Sequence, residues 1–390
     1  MTERDQPSGA AMKFSRRSAN PAGATSPIVQ AMEVALRGGR ILYDLTRTDP
    51  TGWAVRADLE RLALSYLSRE VARRYDPQPT GLLSAREALS RRYGGDPDHW
   101  VVCASTSEAY SILFQLLTDP GDRIAVCRPS YPLLDDLARH GGLGLVDVPL
   151  RWSHPRWHLD LGWVERRLGD PSVRLLVLIQ PGNPTGWWLS PLERKRVLEL
   201  CRKNGKALIC DEVFAEDLHT PGFQSLQGED SCLVFVLGGL SKSLGLPQFK
   251  LGWIRASGEL SDLAGSMERL ARLNDCLLSA STPVQTALSE LLKLQEALHA
   301  PIKERCLGNL TQLQNLPSEA VECLPAGGGW TRILKLRTRN EEEVCLELLD
   351  QGVLVQPGFL YDLPGENLVI SLLSDELSFL TGLSLIKSVL

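Results

Sequence analysis

The chain has 390 residues, of which 43% are hydrophobic and 23% are charged, and its formal net charge is −5. This is ordinary globular composition, and the length exceeds what one hydrophobic core usually supports, so we expect two domains. No dense tract of Lys and Arg occurs, which argues against a nucleic-acid partner and against an anionic membrane surface.

The beginning of the chain and the cysteines indicate a compartment. Residues 1–27 are polar and rich in Ser, Pro and Ala, and they contain no apolar segment of the kind found in signal peptides. The nine cysteines are scattered and form no CxxC pair. We therefore expect a reduced, cytoplasmic protein without a membrane span.

Short apolar runs alternate with helical patterns through the middle of the chain. Residues 106–118 carry apolar side chains at helical spacing and predict a helix. Residues 193–205 predict a second helix that stops at a glycine. Four apolar runs predict strands closed by turns or polar residues, and they are 122–131, 175–181, 207–213 and 232–239.

Continuous apolar strands that alternate with helices are typical of a parallel sheet covered on both faces. Ligands of such sheets bind beyond the carboxyl ends of the strands. Polar groups follow three of the predicted strands at that end, namely Gln180 with the loop PGNPTG, Asp211 with Glu212, and Ser241 with Lys242. The sequence therefore predicts a ligand site at this edge of the sheet.

The C-terminal part of the chain has a different pattern. From about residue 283 it is rich in helix, and it then contains three strand-like segments and a final helix, which predicts a smaller α+β domain. We expect residues 1–55 to form an N-terminal arm and part of this small domain. Residues 56–282 would form the large domain, and residues 283–390 the C-terminal small domain.

Lys242 follows an apolar run and two glycines, where burial of a charged amine would be costly. One interpretation is a lysine at a helix start that points to water. The other is a Schiff-base lysine, because a desolvated amine loses its proton readily and attacks carbonyl groups. The small residues around Lys242 would let a bulky cofactor approach.

Asp211 ends a buried strand and, taken alone, fits more than one kind of site. It could be a metal ligand, and an Asp-Glu pair after four apolar residues also resembles the magnesium motif of P-loop NTPases. The chain lacks the G-x-x-x-x-G-K-[ST] sequence which that motif requires, and we predict no metal site. A buried carboxylate still needs a cation, and a protonated pyridine nitrogen would serve.

Three successive hydroxyl side chains, Ser105, Thr106 and Ser107, lie at the start of the helix predicted over 106–118. A single N-cap explains one of them. A phosphate site explains all three, because free backbone N–H groups, the helix dipole and the hydroxyls favour an anion. Three further residues fit ordinary core, turn and surface positions when each is taken singly, and they are Tyr131, Asn183 and Lys250.

Taken together, these stretches resemble the class I and II aminotransferase family, whose members have the fold of aspartate aminotransferase and use pyridoxal phosphate. The motifs, in order, are Y-x-x-x-x-x-G before AREAL, STSEAY, PSYP, PGNPTG, CDEVF, LSKSLGLPQFKLGW and GVLVQPG. The resemblance covers about residues 40–375. It implies a fold-type-I α/β protein, with a mostly parallel seven-stranded sheet between helices and a smaller α+β domain, and a homodimer with active sites at the interface.

The resemblance also implies a role for each matching residue. Lys242 corresponds to the lysine that carries pyridoxal phosphate as an internal aldimine and moves the proton during the reaction. Asp211 corresponds to the carboxylate that keeps the pyridine nitrogen protonated. Asn183 corresponds to the residue that hydrogen-bonds O3′, and Tyr131 to the aromatic residue stacked on the ring. The phosphate-binding positions are Ser105, Thr106, Ser107, Ser241 and Lys250, with Tyr75 reaching the phosphate of the neighbouring subunit.

The sequence departs from the family pattern at several positions. Phe214 stands where the family has a tyrosine that hydrogen-bonds O3′, and loss of that bond should raise the pKa of the aldimine. Lys250 replaces an arginine, which exchanges a two-pronged phosphate contact for a point charge. Gly239 stands where the family often has a serine.

The largest departure concerns the substrate carboxylate. Val369 or a neighbour stands where the family has an arginine, and no arginine follows Arg339. Arg47 is a candidate to bind a carboxylate instead, and Arg332 is a weaker one, although both also fit solvated surface positions. Otherwise the substrate carries no carboxylate at that place.

These patterns predict an aminotransferase that moves an amino group between an amino acid or amine and a keto acid or carbonyl compound. The alternative, motivated by Phe214 and Val369, is a pyridoxal-phosphate-dependent lyase, decarboxylase or cyclase of a specialised pathway acting on an amino-acid-derived substrate. A non-catalytic protein of this fold is a third, disfavoured hypothesis. Trp187 and Trp188 would either line a pocket for a large apolar substrate or pack at the dimer interface.

Overall fold

The structure of the protein is a computed structural model. In most of the chain that it describes, strands alternate with helices. The described residues are 15–18, 27–40, 43–53, 56–68, 70–73 and 75–390. The helices are α1 Pro27–Arg37, α2 Ala57–Ser65, α3 Leu83–Tyr93, α4 Thr106–Leu117, α5 Leu133–Gly141, α6 Leu161–Leu168, α7 Pro191–Asn204, α8 Leu240–Ser243, α9 Leu260–Asp275, α10 Thr282–Lys293, α11 Gln295–Gln312, α12 Glu341–Asp350 and α13 Glu376–Val389. The strands are β1 Tyr43–Asp44, β2 Trp100–Cys103, β3 Arg123–Arg128, β4 Gly144–Ser153, β5 Arg156–Leu159, β6 Val173–Ile179, β7 Ala207–Asp211, β8 Val234–Gly239, β9 Gly252–Ser257, β10 Val321–Cys323, β11 Thr331–Leu336, β12 Val353–Leu354, β13 Gln356–Pro357 and β14 Asn367–Ser371.

The largest sheet has eight strands in the order β2-β9-β8-β7-β6-β3-β4-β5. Neighbours from β8 to β4 are parallel, whereas β9 is antiparallel to β2 and β8, and β5 is antiparallel to β4. The mostly parallel α/β fold is thus confirmed, with one strand more than the seven predicted. The extra strand forms because β4 turns back at His154 and Pro155, and Trp157 and Leu159 of β5 pack into the core.

Helices cover both faces of this sheet, which explains why its central strands are apolar without alternation. Every residue of β7 and β8 is buried. On β6, Leu176 and Leu178 pack with Val197 of α7, whereas Leu175 and Val177 pack with the α4 side. A strand that buries both faces has no position for a polar side chain until it ends.

The helix predicted over 193–205 is α7, and its sequence marks both ends. Ser190 and Glu193 form a capping box, in which the Ser190 N–H donates to the Glu193 carboxylate at 2.7 Å. The Glu193 N–H donates in turn to the Ser190 hydroxyl at 3.3 Å. Gly205 ends the helix with a left-handed φ of 59°, which glycine adopts without strain.

A four-stranded antiparallel sheet, in the order β10-β11-β14-β13, forms the C-terminal part. Strand β1 pairs in parallel with β12, and the Ser374 hydroxyl donates to the Asp44 carbonyl at 2.8 Å. The described part of the N-terminal arm therefore lies against the C-terminal region. The domain boundaries at residues 55 and 282 stay predictions.

Among the described residues, every helix is too short or too polar to span a lipid bilayer. The strand assignments at 122–131, 175–181, 207–213 and 232–239 correspond to β3, β6, β7 and β8. The helix predicted over 106–118 is α4.

Strand β8 tolerates no side chain at Gly238, because a Cβ there would lie 2.4 Å from the indole nitrogen of Trp253 on β9. We predict that G238A lowers the free energy of unfolding by about 1–3 kcal/mol, since both groups are fixed in a packed sheet. Denaturant unfolding of the cofactor-free protein measures this.

The matched control is G265A, on the exposed side of α9, where an added Cβ meets no atom within 4 Å. This change should raise the free energy of unfolding by about 0.5–1 kcal/mol, because alanine favours helix over glycine. Equal stability changes in G238A and G265A would contradict the proposed packing constraint.

Candidate active site

A cavity of about 350 Å³ lies beyond the carboxyl ends of β6, β7 and β8, at the edge of the sheet predicted from the sequence. The structure brings most of the predicted site residues together there. Those that line the cavity are Ser105, Thr106, Ser107, Tyr131, Asn183, Asp211, Ser241, Lys242 and Lys250.

The register of three strands places the central residues side by side. Asp211, the last residue of β7, pairs with Ile179 of β6 on one side and with Leu237 of β8 on the other. The loop after Ile179 carries Asn183, and α8, directly after β8, carries Lys242. Three consecutive parallel strands thus each deliver one polar side chain to the same cavity.

Asp211 is buried, and both of its carboxylate oxygens accept hydrogen bonds. The Tyr110 hydroxyl donates to Oδ2 at 3.0 Å, and the Val213 N–H donates to Oδ1 at 3.1 Å. Burial raises the pKa of Asp211 to about 6, although these two donors and the nearby Lys242 amine lower it. The carboxylate is therefore ionised at neutral pH and available to a cationic partner.

The Lys242 amine lies at the aromatic side of the cavity. Its Nζ is 4.6 Å from the centroid of the Trp330 ring and 5.6 Å from that of Phe214. The two rings meet edge to face, with centroids 5.4 Å apart. Burial lowers the pKa of Lys242, whereas the carboxylates of Asp217, Asp49 and Asp211 raise it. Desolvation thus favours the neutral amine, which is the nucleophilic form.

A second group of residues that line the cavity has the features of an anion site. Ser105 caps α4, with its hydroxyl accepting from the Glu108 N–H at 3.2 Å, and Thr106 and Ser107 lie in the first turn. Lys250 adds an exposed amine, on a backbone with a φ of 50°. A helix N-terminus, hydroxyls and a cation together suit a dianion such as a phosphate ester.

Two predicted residues lie away from the cavity. Tyr75 is 80% exposed and lines a small separate pocket, so it does not reach the cavity of its own chain. Arg47 is exposed, with its carbonyl accepting from the Ser371 hydroxyl, while the next residue, Thr48, lines the cavity.

The remaining candidates of the sequence analysis are also outside the cavity lining. Arg332 is buried and donates from Nη1 to the Thr331 carbonyl at 2.6 Å. Trp187 and Trp188 line a different cleft of about 470 Å³, so neither forms a wall of the cavity around Lys242. Trp188 packs edge to face on Phe223.

Sequence reasoning missed several residues that line the cavity, among them Tyr110, Trp330 and Thr331. Tyr110 lies in the quoted motif STSEAY, but its position on the apolar face of a helix suggests only core packing. Trp330 and Thr331 come from the C-terminal region, where β11 of the four-stranded sheet begins. A lone tyrosine on an apolar helix face was the available signal.

Comparison with known proteins agrees with this geometry. A family model described as aminotransferase class I and II matches residues 52–377. The chain is 30% identical over 294 residues to a histidinol-phosphate aminotransferase of Xanthomonas euvesicatoria, covering 73% of this chain and 76% of that protein. It is 29% identical over 283 residues to the capreomycidine synthase of Streptomyces vinaceus, covering 71% of each.

The chain belongs to the class I and II aminotransferase family. A solved aminotransferase from Escherichia coli has the same fold, with a TM-score of 0.83 at 22% identity, over 97% of this chain and 98% of that one. Members of the family use pyridoxal phosphate, and family and fold together support an aminotransferase. The cavity fits that cofactor, because a buried carboxylate, a lysine amine and an anion site line it together.

We predict that K242M raises the free energy of unfolding of the cofactor-free aminotransferase by about 1 kcal/mol at pH 7, because an apolar chain replaces a half-buried, desolvated amine. Since burial lowers the pKa of Lys242, its destabilising effect is full at low pH. The effect disappears as the pH rises toward the ordinary lysine value. Denaturant unfolding between pH 7 and pH 10 measures the difference.

The matched control is K195M, which removes an exposed amine on α7 and should change stability little at any pH. A K242M protein that is no more stable than wild type at pH 7 would contradict the assignment of Lys242 as a destabilising, desolvated amine. A gain that stays constant up to pH 10 would contradict it equally.

Proposed function

We propose that this chain is a pyridoxal-phosphate-dependent aminotransferase that holds its cofactor covalently on Lys242 and transfers an amino group between an amino acid or amine and a carbonyl compound. The observation that carries the proposal is the joint placement of a desolvated Lys242 amine and a buried, ionised Asp211 in one cavity. Family membership supports it.

The residues that line the cavity would bind and orient the cofactor. Pyridoxal phosphate supplies an aldehyde that bonds amines and a ring that accepts electron density from the substrate carbon. Asp211 would hold the pyridine nitrogen in its protonated form, and Asn183 would bind the ring oxygen. Tyr131 would cover one face of the ring. The phosphate would lie among Ser105, Thr106, Ser107, Ser241 and Lys250.

Lys242 would also act as the acid and base. Burial lowers the pKa of Lys242 and so favours the neutral amine, and a neutral Nζ can accept a proton from the substrate carbon. The adjoining Trp330 and Phe214 rings exclude water from one side of Nζ. The same atom can then return the proton at a second carbon, as transfer of an amino group requires.

A lyase, decarboxylase or cyclase is the second candidate, and the C-terminal sheet gives the observation that favours it. Val369, at the place of the expected arginine, is fully buried on β14 and pairs with Ile333 of β11. Among the described residues that line the cavity, Lys242 and Lys250 are the cations. The residues available to bind a substrate carboxylate therefore differ from those that the family resemblance implies.

The deciding experiment loads purified protein with pyridoxal phosphate and follows its visible absorbance while amines and amino acids are added singly. An aminotransferase loses the absorbance of the aldehyde form in a single half-reaction and regains it with a keto acid. A substrate that is consumed while the absorbance returns without a keto acid supports a lyase or cyclase instead.

Variants show whether the chromophore belongs to Lys242. K242A should lose borohydride-trapped cofactor, whereas K250A should keep the covalent label at Lys242 and bind the cofactor more weakly. Wild-type protein that stays colourless with excess pyridoxal phosphate would overturn the proposed function. A trapped label on another peptide would overturn it as well.

We further propose that the protein is a reduced, cytoplasmic homodimer. All nine cysteines are free. The exposed Tyr75 ring lies outside the cavity of its own chain, which leaves it available to the site of another copy. This supports an interface at which each subunit completes the phosphate site of its neighbour.

Mixed subunits test this arrangement. K242A and Y75A homodimers should each be impaired, but a hybrid dimer contains one site with an intact Lys242 from one subunit and an intact Tyr75 from the other. We predict that co-expressed hybrids, isolated with two affinity tags, recover about half the activity of wild type per dimer. Hybrids no more active than the better parent, or a monomer by light scattering, would contradict the shared site.

A further inference from the structure

Tyr110 stands out among the cavity residues because nothing in the proposed chemistry uses it. It projects from α4, the helix whose N-cap Ser105 belongs to the anion site, and its ring packs on Phe114 with centroids 5.9 Å apart. The ring is 2% exposed. Its hydroxyl nevertheless reaches across to Asp211 Oδ2 at 3.0 Å.

The direction of this hydrogen bond is fixed by the two groups. Burial raises the pKa of Tyr110 well above its ordinary value, so the phenol keeps its proton. An ionised carboxylate has only acceptor positions, and the tyrosine must therefore donate. Such a charge-assisted bond stabilises the ionised form of Asp211 against the burial that disfavours it.

The other groups around Asp211 do not provide the same support. Glu212 raises the pKa of Asp211 because it is a like charge, and Lys242 lowers it only while its amine is protonated. The buried Cys210 thiol keeps its proton, since burial raises its pKa well above the ordinary value. The Val213 N–H holds the other oxygen, Oδ1. Tyr110 is thus the side chain that directly anchors Oδ2.

We propose that Tyr110 is a positioning residue that keeps the Asp211 carboxylate ionised and fixed in orientation for the pyridine nitrogen of the cofactor. The proposal rests on the proposed function. It links two parts of the site, because α4 carries both the turn proposed to bind the phosphate and the residue that hydrogen-bonds the carboxylate.

The test compares wild type and Y110F, which lacks only the hydroxyl. The dissociation constant for pyridoxal phosphate is measured by tryptophan fluorescence between pH 5.5 and 8.5. Binding should weaken on acidification, since the carboxylate takes up a proton. In Y110F the midpoint of that loss should move up by about one pH unit, with binding about twofold weaker at pH 7 and about eightfold weaker at pH 5.5.

Two comparisons separate positioning from packing. Y93F removes the hydroxyl of a half-buried tyrosine, which accepts from Gln295 outside the cavity, and should leave the pH profile unchanged. Addition of Y110F to D211N should cause no further loss of affinity, because the hydroxyl acts through the carboxylate. If Y110F does not fold, Y110M, which also lacks the hydroxyl, replaces it.

The outcomes are distinct. A Y110F profile that overlays wild type, or a loss of equal size in the D211N background, overturns the role of Tyr110 and leaves the proposed function standing. Wild-type protein that does not bind pyridoxal phosphate overturns both.

Discussion

The in-register pairing of β6, β7 and β8 is the constraint on which the candidate site depends. Because Asp211 pairs with Ile179 and Leu237, the residues that follow these three strands emerge next to each other. A shift of one residue in β7 would turn Asp211 toward the opposite face of the sheet. The apolar side chains that fix this register are buried on both faces, so packing of the core and geometry of the site have one cause.

Two adjacent carboxylates at the end of β7 have different roles, because successive side chains of a strand point to opposite sides. Asp211, the last residue of β7, lines the cavity. Glu212 follows it and accepts from Gln180 Nε2 at 3.0 Å and from the Leu226 N–H at 2.8 Å. Burial raises the pKa of both groups. Glu212 uses its charge to hold the surrounding loops, while Asp211 keeps a charge at the cavity wall. Such buried charges reduce stability unless they are paired, which is the usual cost of a functional site.

Much of the fold and of the candidate site was predictable from the sequence. Apolar runs ending in polar residues located β6, β7 and β8, and a helical pattern with a terminal glycine located α7. The edge strand β5 was not predictable, because its four residues alternate only briefly after a turn at His154 and Pro155. Contacts between segments far apart in the sequence could not be predicted from it either. Tyr110 meets Asp211 across 101 residues of sequence, and Trp330 approaches Lys242 only when the C-terminal sheet is in place.

The pairing of β1 with β12 has a mechanical consequence. Residues 43–48 are tied to the C-terminal region by that pairing and by the hydroxyls of Ser371 and Ser374. Thr48, Trp330 and Thr331 all line the cavity. Because these ties connect the two segments, a displacement of the C-terminal region would move Thr48 together with Trp330 and Thr331.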